Sequence, residues 1–533
     1  MKYYSLLVSL CLIFSVSLGW AQMKVADVPT DPESCTSIMV GKLASTDGSV
    51  MTSHTCDGGY RTWVEMVPAK DHKDGAMRPV YGGLMHTSSV KDRTGVEKKG
   101  EIPQVKHTYA YLNTAYPCLN EKQLAMGETT ISGRRELVNP KGYFMIEELA
   151  AVGLERCATA REAIRVMGEL AEKYGYGDWG ECLTIADPKE VWHFEITGEG
   201  TDNIGALWAA QRIPDDHVGV SANIPRISTI DFNDKDYFMT CTNLKEKAKK
   251  LGFWDGKEPF KFYKVISKGK PFSLREYFIL STLAPSLNLS YDADELPFSV
   301  KPEHKVSPKE VMEYYRETYE GSKWDMTKNL TVTQKLKNKD GSTRDTTFKS
   351  PVAQPWMGRD VMALFNSLRP ETVNSVRTVA VAWCAYSHII QCRDWLPEEV
   401  GAVAWFSMDN PAESPRVPIF SGVTRLPKNY GVCGQNSYRD DAALWTYRRA
   451  NRLAQVNWAK GRNLIEPAVL AFEDKAMMEM PQLEAKVKEL VNAGKKEEAK
   501  ELVTQYTNNF AYSTLSKWDE LEQQFWEMFG RGF

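Results

Sequence analysis

The residue best suited to covalent chemistry in this chain is Cys35, within the segment Glu33–Gly41 (ESCTSIMVG). A small hydroxyl residue and a short apolar run follow it, which is typical of a strand that begins at the cysteine. If the chain is cut before Cys35, one residue carries both a thiol and a free α-amine. That pair is a nucleophile with its own base, suited to amide hydrolysis through an acyl intermediate. A buried structural cysteine is the alternative interpretation.

Two further charged residues are candidates for binding a substrate. Glu128 and Arg134 lie close together in the segment GETTISGR, residues 127–134. Polar residues at strand ends and in loops often carry function, so both side chains could face a cleft. The alternative is an ion pair that only holds a loop.

The sequence predicts no metal site and no cofactor. It contains no HExxH motif and no close cluster of His with Asp. His193 and His388 stand among apolar neighbours and are interpreted as buried core histidines. Of the ten cysteines, Cys11 lies in an N-terminal leader and the other nine are scattered without CxxC pairs, which favours buried, free thiols.

The N-terminal region reads as a processed leader. Residues 1–22 have Lys2, then an apolar run from Leu6 to Leu18, then a plausible cleavage zone, which is typical of a signal peptide. Residues 23–34 are polar, contain two prolines and are interpreted as a propeptide or linker. No later run is long and apolar enough to span a bilayer. We therefore expect an exported protein, periplasmic or extracellular.

The remaining pattern predicts an α+β protein with antiparallel sheets. Residues 37–40 and 50–55 form a hairpin around a turn at Ser45–Gly48, and further strand pairs and helices follow without βαβ units. Capping-box spacing at Thr159, Ser273 and Ser307 predicts the start of three helices. We assign residues 35–430 to the main domain. Residues 431–533 are predicted to be a helical layer packed on it, with one helix opening at Pro481.

Composition excludes some partners. The chain has 533 residues, a net charge of −3 and 25% charged residues, so nothing indicates nucleic acid or an anionic membrane surface. A homo-oligomer remains possible.

Several motifs from residue 35 to about 425 resemble, in order, the dipeptidase-A-type cysteine peptidases. These are N-terminal nucleophile (Ntn) hydrolases, related to penicillin V acylases and bile salt hydrolases. The motifs are CTSIMVGK with DGS at 47–49, LNE at 119–121, MGETT at 126–130, GE at 180–181 with TIAD at 184–187, ANIPRI at 222–227, CAYSH at 384–388 and WF at 405–406 with DNP at 409–411.

This resemblance implies an αββα sandwich of two antiparallel sheets and loss of everything before Cys35. It implies that Asn223 supplies a side-chain donor to the oxyanion and that Asp57 lies near the nucleophile and its amine. A turn-capping role for Asp57 is the alternative. One departure is His54, which stands where many relatives have Arg. We retain it as a substrate-binding candidate, although a histidine cannot reproduce a permanent bidentate charge.

The predicted function is an exported cysteine dipeptidase acting on short peptides, with Cys35 as nucleophile. The alternatives are hydrolysis of non-peptide acyl amides, a Cys–His protease with an internal nucleophile, and a non-catalytic binding protein on this scaffold.

Overall fold

The computed structural model describes residues 34–89, 91–131 and 133–531. The proposed signal peptide and nearly all of the proposed propeptide lie outside these residues. The strands, in chain order, are β1 (Ser34–Val40), β2 (Val50–Asp57), β3 (Glu65–Val67), β4 (Lys70–Asp71), β5 (Met77–Gly82), β6 (Glu97–Pro103), β7 (His107–Thr108), β8 (Tyr111–Asn113), β9 (Leu119–Asn120), β10 (Ala125–Ile131), β11 (Gly180–Ala186), β12 (Val191–Thr197), β13 (Leu207–Arg212), β14 (Val218–Ser221), β15 (Phe238–Thr240), β16 (Ser299–Val300), β17 (Thr331–Lys337), β18 (Thr343–Lys349), β19 (Cys384–Cys392), β20 (Ala402–Met408) and β21 (Val417–Phe420).

The helices surround these strands. In chain order they are α1 (Ile146–Arg156), α2 (Ala160–Tyr174), α3 (Leu244–Lys250), α4 (Phe262–Ile266), α5 (Leu274–Leu283), α6 (Pro308–Tyr314), α7 (Arg359–Leu368), α8 (Glu398–Gly401), α9 (Ala443–Val456), α10 (Trp458–Asn492) and α11 (Lys496–Phe529). The combination of helices with antiparallel sheets confirms the predicted α+β class.

The hairpin that begins at Cys35 lies within a seven-stranded antiparallel sheet. The strand order is β16-β14-β1-β2-β19-β20-β21. Residues of β1 and β2 are buried along their whole length, because both faces of this sheet are covered. The register places Cys35 opposite Cys56 and Thr36 opposite Thr55.

A second antiparallel sheet of eight strands packs against the first. Its order is β15-β13-β12-β11-β10-β9-β8-β3; β10 contacts both β1 and β2, and β11 contacts β2. Helices α1 and α2 contact the eight-stranded sheet, whereas α5, α6 and α9 contact the seven-stranded one. One continuous apolar core fills the space between these elements.

The packing of β10 on β2 depends on Gly127. A Cβ atom added there would lie 2.2 Å from the Ser53 carbonyl oxygen and 2.7 Å from Thr184 Oγ1. Only a residue without a side chain allows the two sheets to come this close. Because of this close approach, the next residue, Glu128, lies beside the start of β1, where it contacts Cys35.

The helix starts agree with the sequence signals. Thr159 accepts a hydrogen bond from the Glu162 amide, Ser307 accepts one from the Glu310 amide, and Ser273 forms a complete capping box with Glu276. These side chains satisfy amide groups that a helix leaves unpaired at its first turn.

One predicted boundary is wrong. Pro481 does not open a helix, because α10 runs through both Pro467 and Pro481 without ending. A proline removes one helical hydrogen bond, but α10 packs along α11, so tertiary contacts keep the helix continuous.

The nine cysteines among the described residues are free, as predicted, and all of them except the half-buried Cys433 are buried. His193 and His388 are likewise fully buried, as predicted. Among the described residues, no helix is both long and apolar enough to cross a membrane.

Candidate active site

Cys35 lies near the start of β1, in the space between the two sheets. Its backbone nitrogen, which is acylated by Ser34 in this chain, donates a hydrogen bond to Asn223 Oδ1 at 2.9 Å. Its Sγ donates to Glu128 Oε2 at 3.3 Å. The Cys35 thiol therefore contacts the Glu128 carboxylate of the opposite sheet. The Cys35 nitrogen contacts the side-chain amide of Asn223, which follows β14.

The surroundings of Cys35 favour the neutral thiol. Burial, and then the negative charge of Glu128, raise the pKa of the Cys35 thiol well above its usual value. A thiol reacts as a nucleophile in its thiolate form, so a nucleophilic role for Cys35 requires a base that removes this proton.

Asn223 follows β14 in a backbone conformation that few residues adopt. Its φ is 65°, in the left-handed region that asparagine tolerates better than most side chains. Its Nδ2 donates to the Thr130 carbonyl at 2.7 Å, while Oδ1 faces Cys35. The side chain thus orients the Cys35 nitrogen in this structure, and one of its two N–H bonds is already used.

Arg275 is a residue of the site that the sequence analysis missed. Its Nη2 donates to Asn223 Oδ1 at 2.8 Å, and its Nη1 donates to the Cys35 carbonyl at 2.6 Å and to Thr36 Oγ1 at 2.9 Å. Burial lowers the pKa of this guanidinium to about 10, so it remains charged at neutral pH. The arginine holds Cys35 and Asn223 in one arrangement.

The sequence signal closest to Arg275 is the capping box at Ser273, which predicts where α5 begins but not what Arg275 contacts. The capping box at Ser273 and Glu276 fixes the first turn of α5, and Arg275 lies within that turn. An arginine with 5% exposure at a helix start needs buried acceptors, which only the tertiary structure supplies.

Asp57 ends β2 and forms an ion pair with Arg377. Its Oδ2 also accepts a hydrogen bond from Thr55 Oγ1 at 2.9 Å. Arg377 reaches Ser34 as well, since its Nε and Nη2 lie 3.1 and 3.0 Å from Ser34 Oγ. Asp57 therefore positions a second arginine on the residue that precedes Cys35, and sequence analysis did not single out Arg377.

His54 is a neutral, buried side chain in this structure. Its Nδ1 lies 2.7 Å from the Glu128 carbonyl oxygen and 3.3 Å from the Glu128 amide nitrogen, and the shorter contact is the one that a protonated Nδ1 makes as a donor. The ring packs against Tyr116, Tyr386 and His388. Burial lowers the pKa of His54 to about 3. The positive charges near Cys35 come from Arg275 and Arg377 and not from this position.

Glu128 is a buried carboxyl group with a raised proton affinity. Its Oε1 accepts from Thr130 Oγ1 at 3.2 Å, and its Oε2 accepts from the Cys35 thiol. Burial raises the pKa of Glu128 to about 7, against the lowering effect of its hydrogen bonds with Glu181 and Cys35. Burial and the charge of Glu128 raise the pKa of Glu181 well above its usual value.

The side chain of Arg134 forms its hydrogen bonds away from Cys35 and Glu128. Its Nε donates to the Val265 carbonyl at 2.9 Å and its Nη2 to the Lys264 carbonyl at 2.9 Å, and its guanidinium lies over the Phe253 ring. It ties its own loop to α4, through carbonyl groups and not through the ion pair that we considered. Its role in substrate binding stays a prediction.

The described residues include one group that could in principle hold a metal ion. Donor atoms of Cys35, His54 and Glu128 lie within 4.8 Å of one another and all three residues are buried. Hydrogen bonds between these residues already account for their arrangement, through the Cys35 thiol on Glu128 and the His54 ring on the Glu128 carbonyl. These hydrogen bonds hold the thiol, the carboxyl group and the imidazole close together.

A comparison with known families identifies the chain. The model of peptidase family C69 matches residues 34–470, which includes every residue of the site. The chain belongs to peptidase family C69. This membership confirms the resemblance to dipeptidase-A-type enzymes and the prediction of a cysteine-type peptidase.

Curated relatives named dipeptidases align with most of this chain. A probable dipeptidase of Latilactobacillus sakei is 26% identical over 421 residues, which cover 74% of this chain and 76% of the relative. Dipeptidase A of Lactobacillus helveticus is 22% identical over 480 residues, covering 87% and 90%. A probable dipeptidase of Salmonella dublin is 25% identical over 411 residues, covering 73% and 81%.

Proposed function

We propose that this C69 protein is an exported cysteine dipeptidase whose nucleophile, Cys35, becomes the N-terminal residue of the mature chain. The observation that carries the proposal is the environment of Cys35. One side of the residue presents its thiol to Glu128, and the other presents its nitrogen to Asn223 at 2.9 Å. The relatives named dipeptidases support peptides of two residues as the substrate.

The reaction uses the same nitrogen after processing. A free α-amine has a pKa of about 7.7–8.0 and can take the thiol proton near neutral pH. Sγ then bonds to the carbonyl carbon of the substrate, and an oxyanion forms. The C–N bond breaks as the ammonium group returns the proton to the leaving amine. Water, deprotonated by the same amine, then attacks the thioester, and the C–S bond breaks to release the acid and the thiol.

Asn223 and Arg275 prepare the site for these steps. Preorganised donors near an oxyanion are worth roughly 3–4 kcal/mol each where they have been tested. Asn223 offers one remaining N–H bond, and Arg275 fixes its orientation through Oδ1. Asp57 holds Arg377 on Ser34, and the loss of Ser34 would free this guanidinium to bind the carboxylate of a peptide.

The proposal includes the Ntn-hydrolase αββα sandwich. Two antiparallel sheets in contact, with helices packed on each, support this architecture. Loss of residues 1–34 and export to the periplasm or medium are also part of the proposal. Fractionation of cells that express the full chain, followed by detection in each fraction, tests the export.

Mass measurement and assay test the proposal together. The mature wild-type chain should begin at Cys35 and should hydrolyse a panel of dipeptides faster than penicillin V or a bile salt conjugate. Cys35→Ala should retain the residues before position 35 and lose all amide hydrolysis, while Cys35→Ser processes slowly. An active wild-type chain that still carries residues 23–34 contradicts the α-amine mechanism. Residual hydrolysis by Cys35→Ala contradicts the nucleophile assignment.

A further inference from the structure

Processing requires a base other than the α-amine. Before the cut, the Cys35 nitrogen is part of the Ser34–Cys35 peptide bond, and an amide nitrogen has no basic lone pair to offer. The thiol is nevertheless protonated, since its burial raises its pKa. A group that already touches Sγ in the uncut chain must therefore accept the proton if the chain cuts itself.

The Glu128 carboxylate occupies that position. Its Oε2 accepts a hydrogen bond from Cys35 Sγ at 3.3 Å, which is an ordinary length for a bond from sulphur, and both side chains are fully buried. The other acid close to the cysteine, Asp57, is engaged by Arg377 and by Thr55 Oγ1. Within the part of the chain that the structure describes, the hydrogen-bond partners of the Glu128 carboxylate are hydroxyl, thiol and carboxyl groups and include no such cation.

We propose that Glu128 is the general base of self-cleavage at Ser34–Cys35, a role separate from the α-amine's role in peptide hydrolysis. This inference rests on the proposed function, because it assumes that Cys35 becomes N-terminal by its own reaction. Glu128 contacts the reacting sulphur, so it is a catalytic residue of the processing step.

The step balances as an N-to-S acyl shift followed by hydrolysis. Glu128 takes the Sγ proton, and Sγ bonds to the Ser34 carbonyl carbon through a five-membered ring. The Ser34 C–N bond breaks, and the protonated Glu128 gives the proton to the Cys35 nitrogen, which becomes the amine. Water then attacks the Ser34 thioester, the C–S bond breaks, and the peptide that ends in Ser34 leaves as a carboxylic acid.

Two features fit Glu128 to this exchange. A base works best when its pKa is close to the working pH, and burial brings the pKa of Glu128 to about 7. Arg377 donates hydrogen bonds to Ser34 Oγ and so holds the acyl side of the Ser34–Cys35 bond, while the Glu128 carboxylate acts on the Cys35 thiol. The two sides of the bond to be cut are thus held by different charged residues.

Processing can be tested without host proteases. The full chain is made in a translation system reconstituted from purified components, and intact mass is followed with time between pH 6 and 8.5. The wild-type rate should rise with pH through about 7, as Glu128 loses its proton. Glu128→Gln should slow cleavage by roughly 100-fold or more, the ordinary size of a general-base contribution. Glu65→Gln, a half-buried glutamate of the same sheet, is the matched control and should process normally.

A second arm separates processing from hydrolysis. A chain that begins Met–Cys35 loses its initiator methionine to methionine aminopeptidase, so it acquires the α-amine without self-cleavage. In this form Glu128→Gln should hydrolyse dipeptides measurably, unlike Cys35→Ala, because the α-amine supplies the base that self-cleavage lacks. Normal self-cleavage by Glu128→Gln overturns the inference, and so does a mature Glu128→Gln enzyme as inactive as Cys35→Ala. If Glu128→Gln fails to fold, Glu128→Asp replaces it, and cleavage as fast as wild type overturns the inference.

The outcomes also separate this inference from the proposed function. A wild-type chain that hydrolyses dipeptides without any cleavage before Cys35 refutes both. A wild-type chain that cleaves itself, together with a Glu128→Gln chain that does so equally fast, refutes only the role of Glu128.

Discussion

At the scale of single residues, two arginines supply the positive charge around Cys35. Arg275 contacts the Cys35 carbonyl and Asn223, and Arg377 contacts Asp57 and Ser34. The sequence had directed attention to position 54, where His54 lies buried and neutral. The charge expected there is present in the site but comes from other elements.

Replacing Arg275 should disable the site while leaving Cys35 in place. Arg275→Ala removes the donors that hold Asn223 Oδ1 and the Cys35 carbonyl, and misplacing such groups by about 1 Å can cost 10²-fold in rate. We expect kcat on dipeptides to fall by about that factor. Arg275→Lys should recover only part of it, because an ammonium cannot reproduce the bidentate fork. Equal activity of Arg275→Ala and wild type in a steady-state assay contradicts the assignment.

Glu128 should make the uncut chain less stable as the pH rises. Its pKa is raised to about 7 in the folded chain, above the ordinary value of 4.5, so folding favours its protonated form. The stability that it contributes is present below about pH 4.5 and is lost as the pH rises through 7. In a Cys35→Ala background, Glu128→Gln should therefore gain stability relative to its parent between pH 5 and 8, by about 1–3 kcal/mol. Denaturant unfolding at the two pH values measures this, and a pH-independent difference contradicts it.

At the scale of elements, the contact of β10 with β2 sets the distance between the acid and the thiol. Gly127 lets the Ser53 carbonyl approach to a distance that no Cβ tolerates. Gly59, in contrast, has open space where a Cβ would stand and no left-handed backbone. A methyl group would therefore clash with the backbone at position 127 but would meet open space at position 59.

Gly127→Ala should move β10 away from β2. We expect a loss of about 1–3 kcal/mol of unfolding free energy, typical of overpacking, together with slower processing because Glu128 withdraws from Sγ. Gly59→Ala should leave both quantities near the wild-type values. Thermal unfolding and the mass-based processing assay measure the effects, and equal behaviour of the two variants would show that the contact does not position Glu128.

At the scale of the whole molecule, the C-terminal helices complete the core of the sheets. Thr507 of α11 donates to the Pro418 carbonyl of β21 at 2.7 Å, and Asn451 of α9 donates to Asp409 Oδ2 at 2.9 Å. Trp518 and Phe525 of α11 are fully buried. The hairpin of β17 and β18, in contrast, is largely exposed.

Truncation after residue 430 should therefore prevent folding. It removes the buried face of α9–α11 and leaves the apolar outer face of β20 and β21 in water, at a cost of roughly 25 cal/mol for each Å² exposed. We expect aggregation and no cooperative unfolding transition. Replacing residues 331–349 with a short Gly-Ser linker is the contrasting deletion, since the Ser350 amide already bonds the Leu330 carbonyl at 2.8 Å. That variant should keep wild-type kcat/KM within about threefold, and a soluble, active 1–430 fragment contradicts the expectation.

Local features of the fold could be predicted from the sequence because they depend on neighbouring residues. The hairpin from Cys35 and the helix starts at Thr159, Ser273 and Ser307 follow from backbone and side-chain preferences within a few positions. Pro481 shows the limit of such reasoning, because packing against α11 outweighed its local preference.

The sequence by itself singled out the proposed nucleophile and its strand, since Cys35 opens a predicted hairpin that the structure contains. Only the tertiary structure decided its companions. Glu128 is 93 positions away, Asn223 is 188 and Arg275 is 240, and each reaches Cys35 from a different element. Short-range patterns carry no information about such contacts, because they arise when two sheets and a helix pack together. The physical reason is that packing fixes distances between side chains, whereas sequence spacing fixes only those within one element.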